Sequence, residues 1–174
     1  MIRLVLAATL LATQSPSASA LFRQGNTQYV GIHYWLQNDD GSRLTEARAQ
    51  PARQYSVHLR SNVAGFLVVF LTADGSELTP RSYPSYGGLE LRQGGEFTLP
   101  GTYHLAQNGS SERIVFLFAR SQTEVVRTSD QAIEKLARLG PALISETLAD
   151  GVELGTYVVN RNGAQPSAAI RLTR

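Results

Sequence analysis

The sequence predicts a mainly β protein, an antiparallel β-sandwich of immunoglobulin-like architecture with one short helix near residues 129–139. Three observations predict it: short runs alternate apolar and polar residues, turn signals separate them closely, and one stretch alone has a helical apolar stripe. The chain has 174 residues, 43% hydrophobic and 17% charged, with 15 Gly and 7 Pro. That length and composition fit one globular domain and disfavour long disorder or coiled coil.

The first twenty residues have the pattern of a secretory signal peptide. Arg3 is the positive residue, Leu4–Ala12 is the apolar run, and Ala18-Ser19-Ala20 offers small residues to signal peptidase. A bilayer span needs about 20 apolar residues, so this run is too short to be an anchor. The sequence therefore predicts a signal peptide over 1–20 and one domain over 21–174, in the periplasm or outside the cell. The chain has no Cys, so packing alone must hold the domain together.

Two runs, Tyr29–Gln37 and Gln54–Arg60, alternate most clearly and predict strands with one face in the core. A turn at 38–41 ends the first run. The residues expected to face inward are Val30, Ile32, Tyr34, Leu36, Tyr55, Val57 and Leu59. The residues expected to face outward are His33, Trp35, Ser56, His58 and Arg60.

The two most apolar runs predict the central strands. Gly65–Leu71 is nearly continuously apolar, which is typical of a strand covered on both faces. Glu112–Arg120 places Ile114, Phe116 and Phe118 opposite Val115 and Leu117. Asp74-Gly75 predicts a hairpin into Glu77–Thr79. Further short strands are expected at Leu89–Leu91, Glu96–Leu99, Tyr103–Ala106, Thr156–Asn160 and Ala168–Thr173.

The helix near 129–139 is predicted from its ends and its apolar stripe. Thr128 and Gln131 have the spacing of a capping box, and Gly140-Pro141 ends the pattern. Leu143–Leu148 is ambiguous and admits another helical turn. Pro80–Gly88 is rich in Pro and Gly and predicts a loop that contains two tyrosines.

Several of these features occur together in a known order. Asn62 leads into Gly65–Phe70, Asp74-Gly75 follows, and then Tyr83-Pro84. Later in the chain come Pro100, Gly109–Glu112 and the apolar run Ile114–Ser121. In this order the chain resembles the bacterial family called domain of unknown function 4384, over about Tyr29–Ser121 and the strand at 170–172.

The resemblance implies a β-sandwich module found behind signal peptides or attached to signalling and protease domains. Tyr83 stands where that family has Phe, and Phe66 stands where Tyr is usual, so both positions keep an aromatic ring. The family's company implies a sensing, adaptor or recognition role, and the family assigns no catalytic residue.

The charge balance disfavours nucleic acid as a partner. The chain has 16 basic and 14 acidic residues, a net charge of +2, and removal of Arg3 with the signal peptide leaves +1. The arginines form no run, so we expect no field able to gather phosphates.

Catalytic and metal-binding patterns are weak. The sequence has no Cys and no Gly-x-Ser-x-Gly motif, so we expect no enzyme activity and no cofactor. His33 and His58 share the outward faces of their strands, where with an acidic residue or His104 they would bind zinc. The favoured interpretation is that these histidines are solvent-facing. Asp39-Asp40-Gly41 is interpreted as a turn rather than a calcium loop.

The aromatic loop is the candidate binding feature. Tyr83, Pro84 and Tyr86 are stiff and amphipathic, and Trp35, outward in its strand, would join them against a partner or a sugar face. The alternative is that Tyr83-Pro84 plugs one end of the sandwich.

The sequence therefore predicts a non-catalytic module that recognises a protein or envelope component. A carbohydrate-binding module of the envelope is the alternative, and a hydrolase is third. A glycan binder should show Trp35 and the loop tyrosines coplanar on an exposed face. A protein adaptor should show an apolar patch or an unpaired edge strand. A hydrolase would need a buried polar constellation in a cleft.

Overall fold

The computed structural model describes residues 15–26, 28–50, 52–72, 81–83, 88–105, 113–123, 143–151, 153–161, 167–170 and 172–173. Within these ranges the chain is mainly β, with one α-helix and antiparallel strands. The helix is α1 (Ala18–Gln24), and the strands are β1 (Val30–Gln37), β2 (Arg43–Leu44), β3 (Ser56–Ser61), β4 (Gly65–Thr72), β5 (Arg81–Tyr83), β6 (Leu89–Leu91), β7 (Glu96–Thr98), β8 (His104–Leu105), β9 (Arg113–Ala119), β10 (Leu143–Leu148), β11 (Gly155–Asn160), β12 (Ser167–Ile170) and β13 (Leu172–Thr173). None of the described segments contains a helix that is both long and apolar enough to cross a bilayer.

The described strands form three antiparallel sheets. The largest has the order β10-β11-β1-β3-β7, with β2 also paired to β1. The second has the order β12-β9-β4-β5, with β6 also paired to β4, and β13 pairs with β8 in a small third sheet. Central strand β1 pairs with β3 on one side, over Ile32–Gln37, and with β11 on the other, over Val30–Tyr34.

One hydrophobic core takes side chains from both large sheets. The rings of Tyr34 on β1 and Phe116 on β9 lie 5.8 Å apart between their centroids. Alternation decides which residues enter this core, as the sequence predicts, because successive side chains on a strand point to opposite faces. The core residues on β1, β3, β4 and β9 are Val30, Ile32, Tyr34, Leu36, Val57, Leu59, Leu67, Val69, Ile114, Phe116 and Phe118.

Two residues explain how the chain passes from β3 to β4. The Asn62 side chain accepts from the Gly31 backbone N–H at 2.8 Å and donates to the Tyr29 carbonyl at 2.5 Å, so it fixes the start of β1. At Gly65 a Cβ would lie 2.4 Å from the Ala119 carbonyl oxygen and 2.5 Å from the Phe118 ring. Only glycine therefore allows β4 to start so close to β9.

The structure confirms the predicted strands over β1, β3, β4, β6, β7, β9 and β11 to within about two residues at each end, the usual scatter of strand boundaries. Leu67, Val68 and Val69 are all buried, so β4 is covered on both faces as predicted. The turn after β1 is also confirmed, since the Gly41 N–H donates to the Asn38 carbonyl at 3.0 Å and Gly41 has φ of 82°.

Two expectations about irregular segments are wrong. Arg81–Tyr83, predicted within a loop, forms β5 on β4, because Pro80 and Pro84 flank the strand and leave its own N–H groups free to pair. Leu143–Leu148, for which a helical turn was considered, forms β10 paired with β11 over its whole length.

The described helix lies at the N-terminal end, at Ala18–Gln24, whereas the predicted helix near 129–139 lies outside the described residues. The predicted hairpin at Asp74-Gly75 and the strand Glu77–Thr79 lie outside them too.

Candidate functional site

The face of the six-stranded sheet opposite the core carries a row of stacked rings. The rings of Tyr157 and His33 stack at 4.0 Å with 8° between their planes. His33 lies 5.0 Å from Trp35, and Trp35 lies 5.4 Å from His58 at 13°. We call these four rings the aromatic ladder. Strand register places them together, because Tyr157 pairs with His33 and Trp35 pairs with His58 across neighbouring strands.

The aromatic ladder is closed to solvent. Relative exposure is 0% for Tyr157 and His33, 1% for Trp35 and 8% for His58. The Arg43 guanidinium lies over the Trp35 ring, 4.1 Å from its centroid, a cation–π contact. Trp35 Nε1 is buried and has no hydrogen-bond partner among the described residues.

His33 is held in its neutral form. The Arg60 Nε–H donates to His33 Nδ1 at 3.1 Å, so this nitrogen acts as an acceptor. Burial of the ring, followed by the charge of Arg60, lowers the pKa of His33 to about 3. At Gly155 a Cβ would lie 2.4 Å from His33 Nε2, so the backbone of β11 packs directly on the imidazole.

Two acidic side chains connect the ladder to its arginines. Glu153 lies 3.5 Å from Arg60 Nη2 and accepts from Arg23 Nε at 2.9 Å. The hydrogen bond from Arg23 lowers the pKa of Glu153. Burial, with the Glu153 charge second, raises the pKa of the Tyr157 hydroxyl. Glu96 lies 3.9 Å from Arg43 Nη2 at the other end of the ladder.

His58 has the most complete set of polar partners on this face. Its Nε2 lies 3.0 Å from the Ser56 hydroxyl, and its Nδ1 lies 2.9 Å from Glu96 Oε1. The Thr98 hydroxyl is a second neighbour of Nδ1, at 3.1 Å. Ser56 and His58 are two residues apart on β3 and therefore face the same way, and β7 brings Glu96 and Thr98 beside them. Because a carboxylate can only accept, Nδ1 carries the proton and Nε2 accepts from Ser56.

Helix α1 closes one end of the ladder. Ser17 caps the helix, and its hydroxyl accepts from the Ala20 N–H at 3.3 Å. The Phe22 ring lies edge-on to Tyr157 at 5.3 Å. The Ser19 N–H donates to Glu146 on β10 at 2.7 Å, and this bond lowers the pKa of Glu146. The helix begins inside the segment predicted as signal peptide, so part of that segment packs on the sheet.

The histidine expectations are partly wrong. His33 and His58 face away from the core as predicted, but both are buried because neighbouring rings and ion pairs cover them. Across the strand pair, His33 lies opposite Arg60, not His58, and Trp35 separates the two imidazoles. His104 lies on β8, 3.5 Å from the amide of Gln54. Within the described residues, no three His, Cys, Asp or Glu side chains are grouped to hold a metal ion.

The four residues of the predicted partner-binding feature are not described equally. Trp35 lies on the outward face of β1, but its burial leaves no exposed ring for a sugar or a partner to stack on. The backbone of Tyr83 ends β5, in the other large sheet. Pro84 and Tyr86 lie outside the described residues, so the binding role of this loop stays a prediction.

Among the described residues, the six-stranded sheet also has a long edge strand with a neighbour on one side only. In the described part of the chain β10 pairs with β11 alone, over six residues. Its residues alternate in exposure: Ile144, Glu146 and Leu148 are half-buried, while Ser145 and Thr147 are exposed. An edge strand of this kind presents unpaired backbone donors and acceptors.

Sequence reasoning missed the ladder and the Ser56 contacts. The outward residues of β1 and β3 were visible from alternation, but the sequence does not give the register that aligns them or the strand that supplies Glu96. Comparison with known proteins adds no assignment, because no family model, curated protein or solved structure matches the chain.

Proposed function

We propose that the chain is a secreted recognition module that binds an extended segment of a protein or envelope component along the free edge of β10. In this proposal the two large sheets pack as an immunoglobulin-like β-sandwich, and the chain is a divergent relative of the family that it resembles. The observation that carries the proposal is the edge itself, six residues long and paired on one side among the described residues.

The composition of β10 supports strand addition. A partner strand gains affinity from backbone hydrogen bonds and specificity from alternate side-chain positions. Natural edge strands are commonly protected by Lys, Pro or a bulge, and Leu143–Leu148 contains neither Lys nor Pro. Its pairing with β11 runs without interruption from Leu143 to Leu148, so it contains no bulge.

The opposite edge of the same sheet is a poorer candidate. Strand β7 has three residues, and the side chains of Glu96 and Thr98 on it already contact His58 Nδ1. The carbohydrate-binding alternative needed an exposed Trp35, and the burial of that ring leaves the loop tyrosines as its remaining support.

The test adds positive charge to the edge strand at two positions, one of which, Thr147, also loses its 3.0 Å contact with the Thr156 hydroxyl, so the fold of the variant is checked by circular dichroism. Purified protein is crosslinked in an envelope extract, and captured partners are compared with those of a Ser145→Lys/Thr147→Lys variant, since both positions are exposed. A matched control adds the two lysines elsewhere, as Thr102→Lys/Thr123→Lys. Loss of the captured partner in the edge variant alone supports the proposal, provided that the β10 amides also exchange more slowly in the wild-type complex.

A further variant separates the edge from the loop. If Tyr83→Ala/Tyr86→Ala abolishes capture while the edge variant keeps it, the binding surface is the aromatic loop and the edge proposal is wrong. Capture of glycan fragments alone would favour the carbohydrate-binding module.

A further inference from the structure

We infer that Ser56 is a reactive serine that attacks activated carboxylic esters, with His58 as its general base and Glu96 as the group that orients His58. This inference goes beyond recognition at β10 and does not depend on it. It follows from the order of three contacts along one face of the sheet.

Glu96 sets the tautomer of His58. Glu96 Oε1 lies 2.9 Å from Nδ1, and the carboxylate holds the imidazole proton on that nitrogen. Nε2 then has a free lone pair and lies 3.0 Å from the Ser56 hydroxyl oxygen. The Gln37 carbonyl is a weaker alternative acceptor for the same hydroxyl, at 3.4 Å. Because the contact with His58 Nε2 is the shorter of the two, the Ser56 hydroxyl donates its proton to that nitrogen.

The order and the packing of Ser56, His58 and Glu96 also support the inference. The serine–base–acid order with the acid on the far nitrogen of the imidazole defines a nucleophile, its base and an orienting group. The His58 side chain is 11% exposed and packs on Trp35, so its ring is held in place. Ser56 is half-buried, so part of this residue is in contact with solvent, and the Glu96 side chain is 46% exposed.

The reaction needs an ester with a good leaving group, such as a phenyl ester, because a phenolate leaves without a proton from a general acid. Ser56 Oγ forms a bond to the carbonyl carbon as the bond from that carbon to the phenolate oxygen breaks, and the Oγ proton passes to His58 Nε2. Nε2 then gives this proton through solvent to the departed phenolate, which becomes the phenol. Water attacks the acyl carbon as Nε2 takes its proton, the bond between that carbon and Oγ breaks, and the proton on Nε2 passes to Oγ. The products are a carboxylic acid and a phenol.

The test measures labelling of one serine. The full chain is incubated with a fluorophosphonate and, separately, with p-nitrophenyl acetate, and adducts are located by peptide mass spectrometry. Ser56 should react at least about 100-fold faster than exposed Ser145, since a positioned general base contributes about that much or more.

Variants decide whether the contacts cause the reactivity. Ser56→Ala and His58→Asn should abolish the adduct, Glu96→Gln should slow it at least about tenfold, and Ser145→Ala should leave it unchanged. The Glu96 side chain is 46% exposed, so Glu96→Gln tests the orienting role of Glu96 even if His58→Asn fails to fold. Absence of an adduct at Ser56 in the folded wild-type protein would overturn the inference. An adduct that forms at the same rate in folded Glu96→Gln would do so as well.

Discussion

The two large sheets each bury the face that points away from the shared core, but they do so with different chemistry. On the five-stranded sheet this outer face is apolar, with Val68, Val115, Leu117 and Ala119 buried. On the six-stranded sheet it consists of rings, arginines and carboxylates. An apolar outer face is visible in the sequence as a continuous hydrophobic run. In the sequence, a polar outer face looks like a solvent-exposed one, because both carry polar side chains. In the folded chain these side chains bind each other rather than water.

The largest expected effect tests whether the apolar outer face is a second core. Phe116 and Leu117 are neighbours on β9, face opposite sides and are 0% and 2% exposed. Phe116→Ala should lower the free energy of unfolding by about 3–5 kcal/mol and Leu117→Ala by about 2–5 kcal/mol in urea melts. A loss under about 1 kcal/mol for Phe116→Ala would refute its place in the core, and the same loss for Leu117→Ala would show that the apolar outer face is not a packed core.

The next effect tests how tightly the polar face is packed. Gly155→Ala would place a Cβ 2.4 Å from His33 Nε2 and 2.6 Å from the Tyr34 carbonyl oxygen, at φ of 147°. We expect a loss of at least about 2 kcal/mol in unfolding free energy. Gly151→Ala is the matched control, since φ there is 91° and nothing lies within 4 Å of the added Cβ. Equal losses in the two variants would show that backbone strain alone matters and that the ladder is loosely packed.

Acid should weaken the polar outer face and not the apolar one, because His33 is buried in the polar face. Its pKa is lowered from 6.5 to about 3 in the folded state, so below pH 6.5 the unfolded chain binds a proton that the folded chain does not. The contribution of His33 to stability is complete above pH 6.5 and is lost toward pH 3, at up to about 1.4 kcal/mol per pH unit. Urea melts from pH 7 to pH 4.5 should show a shallower decline for His33→Gln than for the wild type. Parallel curves for the two proteins would contradict a neutral, buried His33.

The smallest effect concerns helix α1, which covers one end of the polar face. A chain beginning at Leu21 lacks the Ser17 cap, buried Ala18 and the Ser19 N–H bond to Glu146. We expect its unfolding free energy to be about 1–3 kcal/mol below that of a chain beginning at Ser15. Thermal melts of the two chains check this. Identical stability would show that residues 15–20 contribute nothing to the fold, as expected of a signal peptide cleaved after Ala20.

The alternation of apolar and polar residues predicted much of the fold, and the predictions that were wrong have identifiable causes. Alternation gave both faces of β1, β3 and β9 because a period of two fixes side-chain direction without knowledge of neighbours. The burial of Leu143–Leu148 also has a period of two, with Ile144, Glu146 and Leu148 half-buried. The alternation of apolar and polar residues in this segment was too short to exclude a helix from the sequence. Helix α1 was hidden because its small and apolar residues also fit a signal peptide.

The candidate site was much less predictable. Ser56 and His58 were correctly placed on one face of a strand, but their exposure and partners depend on β7, which lies 38 residues from His58 at Glu96. Pairing between distant strands sets such contacts, and a single sequence does not encode register directly. The burial of Trp35 likewise depends on Arg43, which reaches the indole from the neighbouring strand β2.

The most direct test of the closed polar face is the fluorescence of Trp35, which is the chain's one tryptophan. We expect emission well to the blue of the urea-unfolded chain and strong protection from acrylamide, because the indole is 1% exposed and lies between His33, His58 and Arg43. An Arg43→Ala variant should increase quenching by uncovering one ring face. Emission and quenching equal to those of the unfolded chain would show that Trp35 is exposed and that the polar face is open to solvent.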